Sequence, residues 1–243
     1  MTKHVLETPV LLGQKAADQA ATLINEAIAT NGSARIVLST GASQFDTLEA
    51  LRKKDIDWTK VEMFHLDEYI GIGTDHPASF VKYLRERFVK DDIPMKQCYY
   101  IDGLKDPHAV MAEVTRDILS APIDVALIGI GENAHIAFND PPANFDTKEA
   151  FIIVELDEAC KTQQVREKWF ATLNDVPKTA ITMTVYQIMQ SKAIISCVPY
   201  SQKAQAVKNT LENGVTNEVP ATILKTHPNW TLYLDKDSGA LLS

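Results

Sequence analysis

The chain has only three cysteines, Cys98, Cys160 and Cys197, odd in number and widely spaced. That excludes a disulfide framework and a CxxC metal pair, and each is best read as a small buried or half-buried residue. No apolar run approaches membrane-spanning length. The opening MTKHVLETPVLLG lacks the continuous apolar core and cleavage site of a secretion signal. A cytoplasmic location with no membrane partner is therefore expected. There is no block of Lys or Arg, and the formal net charge is -8, so nucleic acid is not an expected partner either. Internal repeats, low-complexity tracts and long linkers are also missing. A few cations and backbone amides in a cleft still suffice to bind a small anion.

What is present is alternation. With 45% hydrophobic residues in 243, residues 1–243 are expected to form a single α/β domain with a large core. Helices are predicted near 14–29, 45–53, 79–89, 107–119, 181–190 and 202–211. Strands are predicted near 35–39, 61–66, 98–101, 125–130, 151–155, 193–198 and 231–234. Strands alternating with helices of ten or more residues imply right-handed βαβ units and one doubly wound, mainly parallel sheet.

The most informative stretch is DVALIGIGENAHIAFNDPP, Asp124 to Pro142. Its apolar run reads as a strand buried on both faces. Gly129 and Gly131 then permit a turn, and Glu132, Asn133, His135, Asn139 and Asp140 crowd into the following loop. In an open α/β sheet such loops lie beyond the carboxyl ends of strands, where ligands bind. His135, followed by apolar Ile136, Ala137 and Phe138, is placed to be shielded and oriented by neighbouring carboxylates. An imidazole so held can carry protons near neutral pH. The asparagines alone read as turn formers.

Three other strand ends should converge on the same edge. IVLSTGASQF places Ser39, Thr40, Gly41, Ala42 and Ser43 between a strand and a helix, an anion cradle of hydroxyls and helix N–H groups. It has neither GxxxxGK[ST] nor GxGxxG, which favours a small phosphoester over ATP or NAD. VEMFHLDEY ends a strand in Asp67 and Glu68. Successive residues of extended chain point opposite ways, so one carboxylate faces the cleft as a base while the other braces the turn. CVPYSQKAQAV puts Lys203 in the first turn of a helix, where a bound phosphate would relieve its conflict with the dipole.

LSTGAS, FHLDEYIGI with HPASF, GIGENAHIAFNDP, LNDVPKTAITM and PATILKTHPN, in this order, resemble the glucosamine-6-phosphate deaminase (isomerase) family over nearly the whole chain. The resemblance implies a modified Rossmann fold and a cofactor-free conversion of glucosamine 6-phosphate to fructose 6-phosphate and ammonia, with no metal. By the same resemblance Asp67 is the base moving the proton between C2 and C1, and His135 opens the sugar ring. Asn133 and Asp140 are its partners, and Thr40, Gly41, Ala42, Ser43 and Lys203 form the phosphate site. Lys168 stands where the family pattern has a phosphate-binding Arg, giving up a bidentate fork for a point charge. Ala134 occupies a usual glycine, and Asp140 a usual glutamate. After Pro142 the basic cluster that resembles the effector site of allosterically activated members is absent, so no activation by N-acetylglucosamine 6-phosphate is expected.

The sequence leaves two alternatives open: a 6-phosphogluconolactonase sharing the fold and phosphate loop, or a non-catalytic sugar-phosphate sensor. The zinc nucleobase-deaminase pattern HxE with PCxxC is absent. Homo-oligomer formation is left open, as is the choice between glucosamine and galactosamine substrates.

Overall fold

The computed structural model describes residues 1–90 and 92–242. The chain runs β1 (Thr2–Leu6), α1 (Pro9–Asn31), β2 (Ala34–Leu38), α2 (Phe45–Leu51), β3 (Val61–His65), β4 (Asp67–Tyr69), α3 (Phe80–Leu84), β5 (Gln97–Tyr99), α4 (Pro107–Leu119), β6 (Val125–Leu127), β7 (Phe151–Glu155), α5 (Glu158–Arg166), β8 (Thr179–Met183), α6 (Val185–Ile188), β9 (Ala193–Val198), α7 (Ala204–Glu212) and β10 (Trp230–Asp235).

Seven strands form one parallel sheet in the order β1-β10-β9-β6-β2-β3-β5. Its core lies on both faces, and residue alternation along each strand shows why the strands read as unbroken apolar runs. Ile36, Leu38, Val125 and Leu127 face the layer holding α1, while Val37 and Ala126 face the layer holding Val110, Val114 and Ile118 of α4. After β2 the chain proceeds to β3 on one side, and after β6 to β9 on the other. The order therefore reverses between β2 and β6, and a crevice opens beyond their carboxyl ends. No helix among the described residues is long and apolar enough to cross a membrane.

Local chemistry sets the helix starts. Thr8 accepts a hydrogen bond from Leu11 N–H at 3.2 Å ahead of Pro9, and Asp106 accepts from Ala109 N–H at 2.9 Å ahead of Pro107; both are side-chain caps followed by a proline that needs no partner for its nitrogen. The first cap starts α1 five residues earlier than the apolar periodicity suggests.

Two expectations are corrected. The helix predicted near 181–190 is a strand to Met183 followed by the single turn of α6. The β-branched segment TAITM is held by partners on both sides, pairing antiparallel with β4 (Asp67↔Thr182) and β7 (Ile152↔Thr182). It is the centre of a second, three-stranded sheet, β4-β8-β7, so the strand expected at 151–155 belongs there and not to the main sheet. The polar segment 158–166, for which no element is expected, is helix α5, capped by Asp157 on Cys160 N–H at 2.5 Å.

Candidate active site

A cavity of about 420 Å³ lies over the β2/β6 switch point. It brings together side chains from the loops after β2, β3, β6 and β9, the four strand ends singled out by sequence: Thr40, Gly41, Ala42, Ser43, Asp67, His135 and Lys203 all line it.

Asp67 begins β4, and pairing with Thr182 fixes its backbone. The residue is 7% exposed. Burial, then the charges of Glu68 and Asp140, push its carboxyl well above the usual carboxylate range. Glu68 points away, as alternation requires. It accepts hydrogen bonds from Ser79 Oγ (2.7 Å), Val81 N–H (3.0 Å) and Tyr69 N–H (3.0 Å). Beneath Asp67, the buried His65 ring lies with Nδ1 2.9 Å from the Asp67 carbonyl oxygen and Nε2 3.0 Å from Ile101 N–H. Nε2 must accept from that amide, so the proton sits on Nδ1 and is donated to Asp67. Burial pushes this imidazole down to about 4, which keeps it neutral.

His135 stands on the loop after β6. Its Nδ1 is 3.0 Å from Oδ1 of Asp140, within ion-pair distance though not aligned as a linear hydrogen bond. Asn133 braces both: its amide donates to the same Asp140 oxygen at 3.0 Å, and its Oδ1 accepts from His135 N–H at 3.1 Å. Asn133 and Asp140 lie behind the imidazole and do not line the cavity. Burial works to raise the Asp140 carboxyl, but His135 and Asn133 together hold it below its ordinary value. The shorter aspartate thus reaches the ring where the family pattern has glutamate. Asn139 is no simple turn former: it donates to Ile136 O (2.8 Å) and Met183 O (2.9 Å), tying the loop to β8.

The role expected of Gly129 and Gly131 differs from what the structure shows. Neither adopts a left-handed backbone; that conformation falls on Ala134 (φ 65°) and Ala137 (φ 50°). The need for glycine at 131 is close approach, because a Cβ there would come within 2.3 Å of the His135 ring. Ala134, at a usual glycine position, carries the conformation that favours glycine.

In the loop after β2, Gly41 takes φ 99° and its carbonyl accepts from Tyr83 Oη at 2.8 Å. Ser39 is buried in the cavity wall with its hydroxyl unpartnered. Opposite, Tyr200 holds φ 80° with its N–H on Asp235 Oδ2 at 2.9 Å, a strained turn that delivers Lys203 into the cavity. Lys203 is 7% exposed. Burial lowers its pKa, against the opposing fields of Glu167 and Glu132.

Lys168 is not brought to this place. It is exposed, with φ 64°, and does not line the cavity. The residues of its segment that do are Gln163, Gln164, Arg166, Glu167 and Trp169, from α5 and the turn after it. Sequence reasoning missed these; the one available signal was the Asp157 cap ahead of a polar helix. Among the described residues, no three His, Cys, Asp or Glu side chains gather as a metal-holding group.

A doubly wound sheet with this cavity at its switch point defines an α/β protein with a small-molecule site lined by a carboxyl, an imidazole and a buried lysine. The chain belongs to the family described as glucosamine-6-phosphate isomerases/6-phosphogluconolactonase, whose pattern it matches over residues 7–233. It is 34% identical over 244 residues to a glucosamine-6-phosphate deaminase of Oenococcus oeni, covering 100% of this chain and 99% of that one. It is 33% identical to one of Bacillus cereus, covering 98% and 88%. Among solved structures, a monomeric glucosamine-6-phosphate deaminase superposes with TM-score 0.89 at 29% identity over 99% of this chain and 100% of that one. A 6-phosphogluconolactonase from Shewanella baltica gives 0.79 at 20% identity, covering 97% of each chain, a likeness of fold alone.

Proposed function

We propose that the protein converts glucosamine 6-phosphate and water to fructose 6-phosphate and ammonia. The reaction is an aldose-ketose isomerisation that leaves an iminium at C2, whose hydrolysis by water breaks the C–N bond, supplies the ketone oxygen and releases the amine. The phosphate sits between the Thr40–Ser43 loop and Lys203, which fixes the sugar's orientation in the cavity. His135, held by Asp140 and Asn133, moves the C1 hydroxyl proton to the ring oxygen as the C1–O5 bond breaks, which opens the pyranose to its aldehyde. Asp67 then takes the proton from C2 and returns it to C1. A carboxyl raised above its ordinary range by burial is a stronger base than a solvated one.

The observation that carries this reading is the buried Asp67 carboxyl sharing one cavity with His135 and the anion loop. The relatives named deaminases support it over the whole chain length. The test gives the purified protein glucosamine 6-phosphate, galactosamine 6-phosphate and 6-phosphogluconolactone in turn, following ammonia and acid release. Ammonia from an amino-sugar phosphate is the expected result. Acid release from the lactone alone would assign a lactonase, and binding without turnover a sensor.

A further inference from the structure

The outer wall of the cavity carries charges that the catalytic reading leaves unused. Arg166, the last residue of α5, reaches the lining, where its Nη2 lies 2.5 Å from Oε1 of Glu132 in the loop after β6. The two side chains are 55% and 26% exposed. Glu167, beside them, is engaged elsewhere: it accepts from Gln163 Nε2 at 2.8 Å and from Trp169 Nε1 at 3.1 Å. Lys203 makes no ion pair among the described residues, although the fields of Glu167, Glu132 and Arg166 all reach it. Two cations therefore face the cavity, one buried and unpaired, the other held by a single half-exposed carboxylate.

An exposed pair of this kind contributes little and breaks readily. A guanidinium and a phosphate match in a two-pronged, charge-assisted contact that is stronger. We propose that Arg166 is a substrate-binding residue that exchanges Glu132 for the substrate's phosphate, taking the part that the sequence pattern gives to Lys168. Glu132 then acts as a stand-in anion: it keeps Arg166 at the rim of the empty cavity and competes with the incoming phosphate. The inference rests on the reading of the substrate as a sugar phosphate and adds to it the second cation.

A plain clasp between α5 and the β6 loop would use the same contact, but the two roles predict different signs. If Arg166 and Glu132 only clasp, removing either weakens the site alike. If Glu132 competes, its removal strengthens phosphate binding. The experiment measures binding of inorganic phosphate and fructose 6-phosphate by calorimetry for the wild type, Arg166→Ala, Arg166→Lys, Glu132→Gln and Lys168→Ala, with circular dichroism as the check on folding. Arg166→Ala should weaken both ligands by roughly 10- to 100-fold, with Arg166→Lys in between. Glu132→Gln should tighten them a few-fold, and Lys168→Ala should leave them within about two-fold. In turnover, Arg166→Ala should raise KM far more than it lowers kcat. Equal weakening by Arg166→Ala and Glu132→Gln, no effect of Arg166→Ala, or a loss confined to Lys168→Ala would each overturn the proposal. A wild type that binds phosphate in this pattern yet releases no ammonia would instead remove the proposed reaction and leave the role of Arg166 standing.

Discussion

The His65 imidazole is bonded to the main chain of Asp67, not to its side chain: Nδ1 is 2.9 Å from the Asp67 carbonyl oxygen, and Nε2 takes the amide of Ile101 at 3.0 Å. A buried, neutral histidine thus ties the end of β3 to the segment after β5 and sets where the carboxyl of Asp67 emerges.

This makes the site acid-sensitive. His65 is lowered from 6.5 to about 4 in the folded chain, so the unfolded chain binds the proton more tightly. The stabilisation is fully present above pH 6.5 and is lost as pH falls toward 4, a loss of about 3 kcal/mol across that window. Urea unfolding at pH 7, 6 and 5 should show the wild type weakening through the window. His65→Gln, less stable at pH 7, should have a flatter profile. Parallel profiles for the two proteins would remove His65 as the cause.

Asp67 has the opposite sign. Its folded pKa is raised, chiefly by burial, so stability falls as pH rises from the ordinary carboxylate value through the folded one. Asp67→Asn should therefore melt higher than the wild type at pH 8, and the gap should close at pH 4. The acid limb of kcat/KM in the wild type should lie above the ordinary carboxylate range. An Asp67→Asn protein less stable than the wild type at pH 8 would show that the ionised carboxylate is not a burden on the fold.

Gly131→Ala separates function from folding. The nearest atoms to the added methyl are those of the His135 ring, from 2.3 Å, and that side chain can swing away from its place beside Asp140. Melting should shift by no more than a few degrees, while kcat falls by roughly 10- to 100-fold because the imidazole is misplaced. Wild-type turnover in this variant would mean that the observed ring position is not the working one.

Activation by an anionic sugar phosphate is not expected. The segment after Pro142, ANFDTKEAF, carries no basic cluster to hold such an anion. Rate curves with and without N-acetylglucosamine 6-phosphate should superpose. A sigmoidal curve made hyperbolic by that compound would contradict this.

The parts of the fold legible in the sequence are those where one force dominates. Helix α4 and strands β7 and β9 lie at the expected positions because a cap with proline, or an unbroken apolar run, marks their ends. The convergence of four loops on one cavity followed from the rule for parallel sheets. What was hidden depends on tertiary pairing. TAITM is a strand because β4 and β7 flank it, and EACKTQQVR is a helix although it has no apolar stripe. Arg166 and Lys168 are two residues apart, and the side chain facing the cavity is decided by the helix end and the left-handed turn at 168, which no motif records.

The central claim is that Asp67 moves a proton on a sugar phosphate whose ring His135 has opened. The direct measurement is turnover of glucosamine 6-phosphate in D2O by the wild type and by Asp67→Asn, with fructose 6-phosphate binding measured on both. The wild type should release ammonia and place deuterium at C1 of the product. Asp67→Asn should bind fructose 6-phosphate within about three-fold of the wild type, yet lose roughly 100- to 10,000-fold in ammonia release. Ammonia release at the wild-type rate by Asp67→Asn would contradict the account.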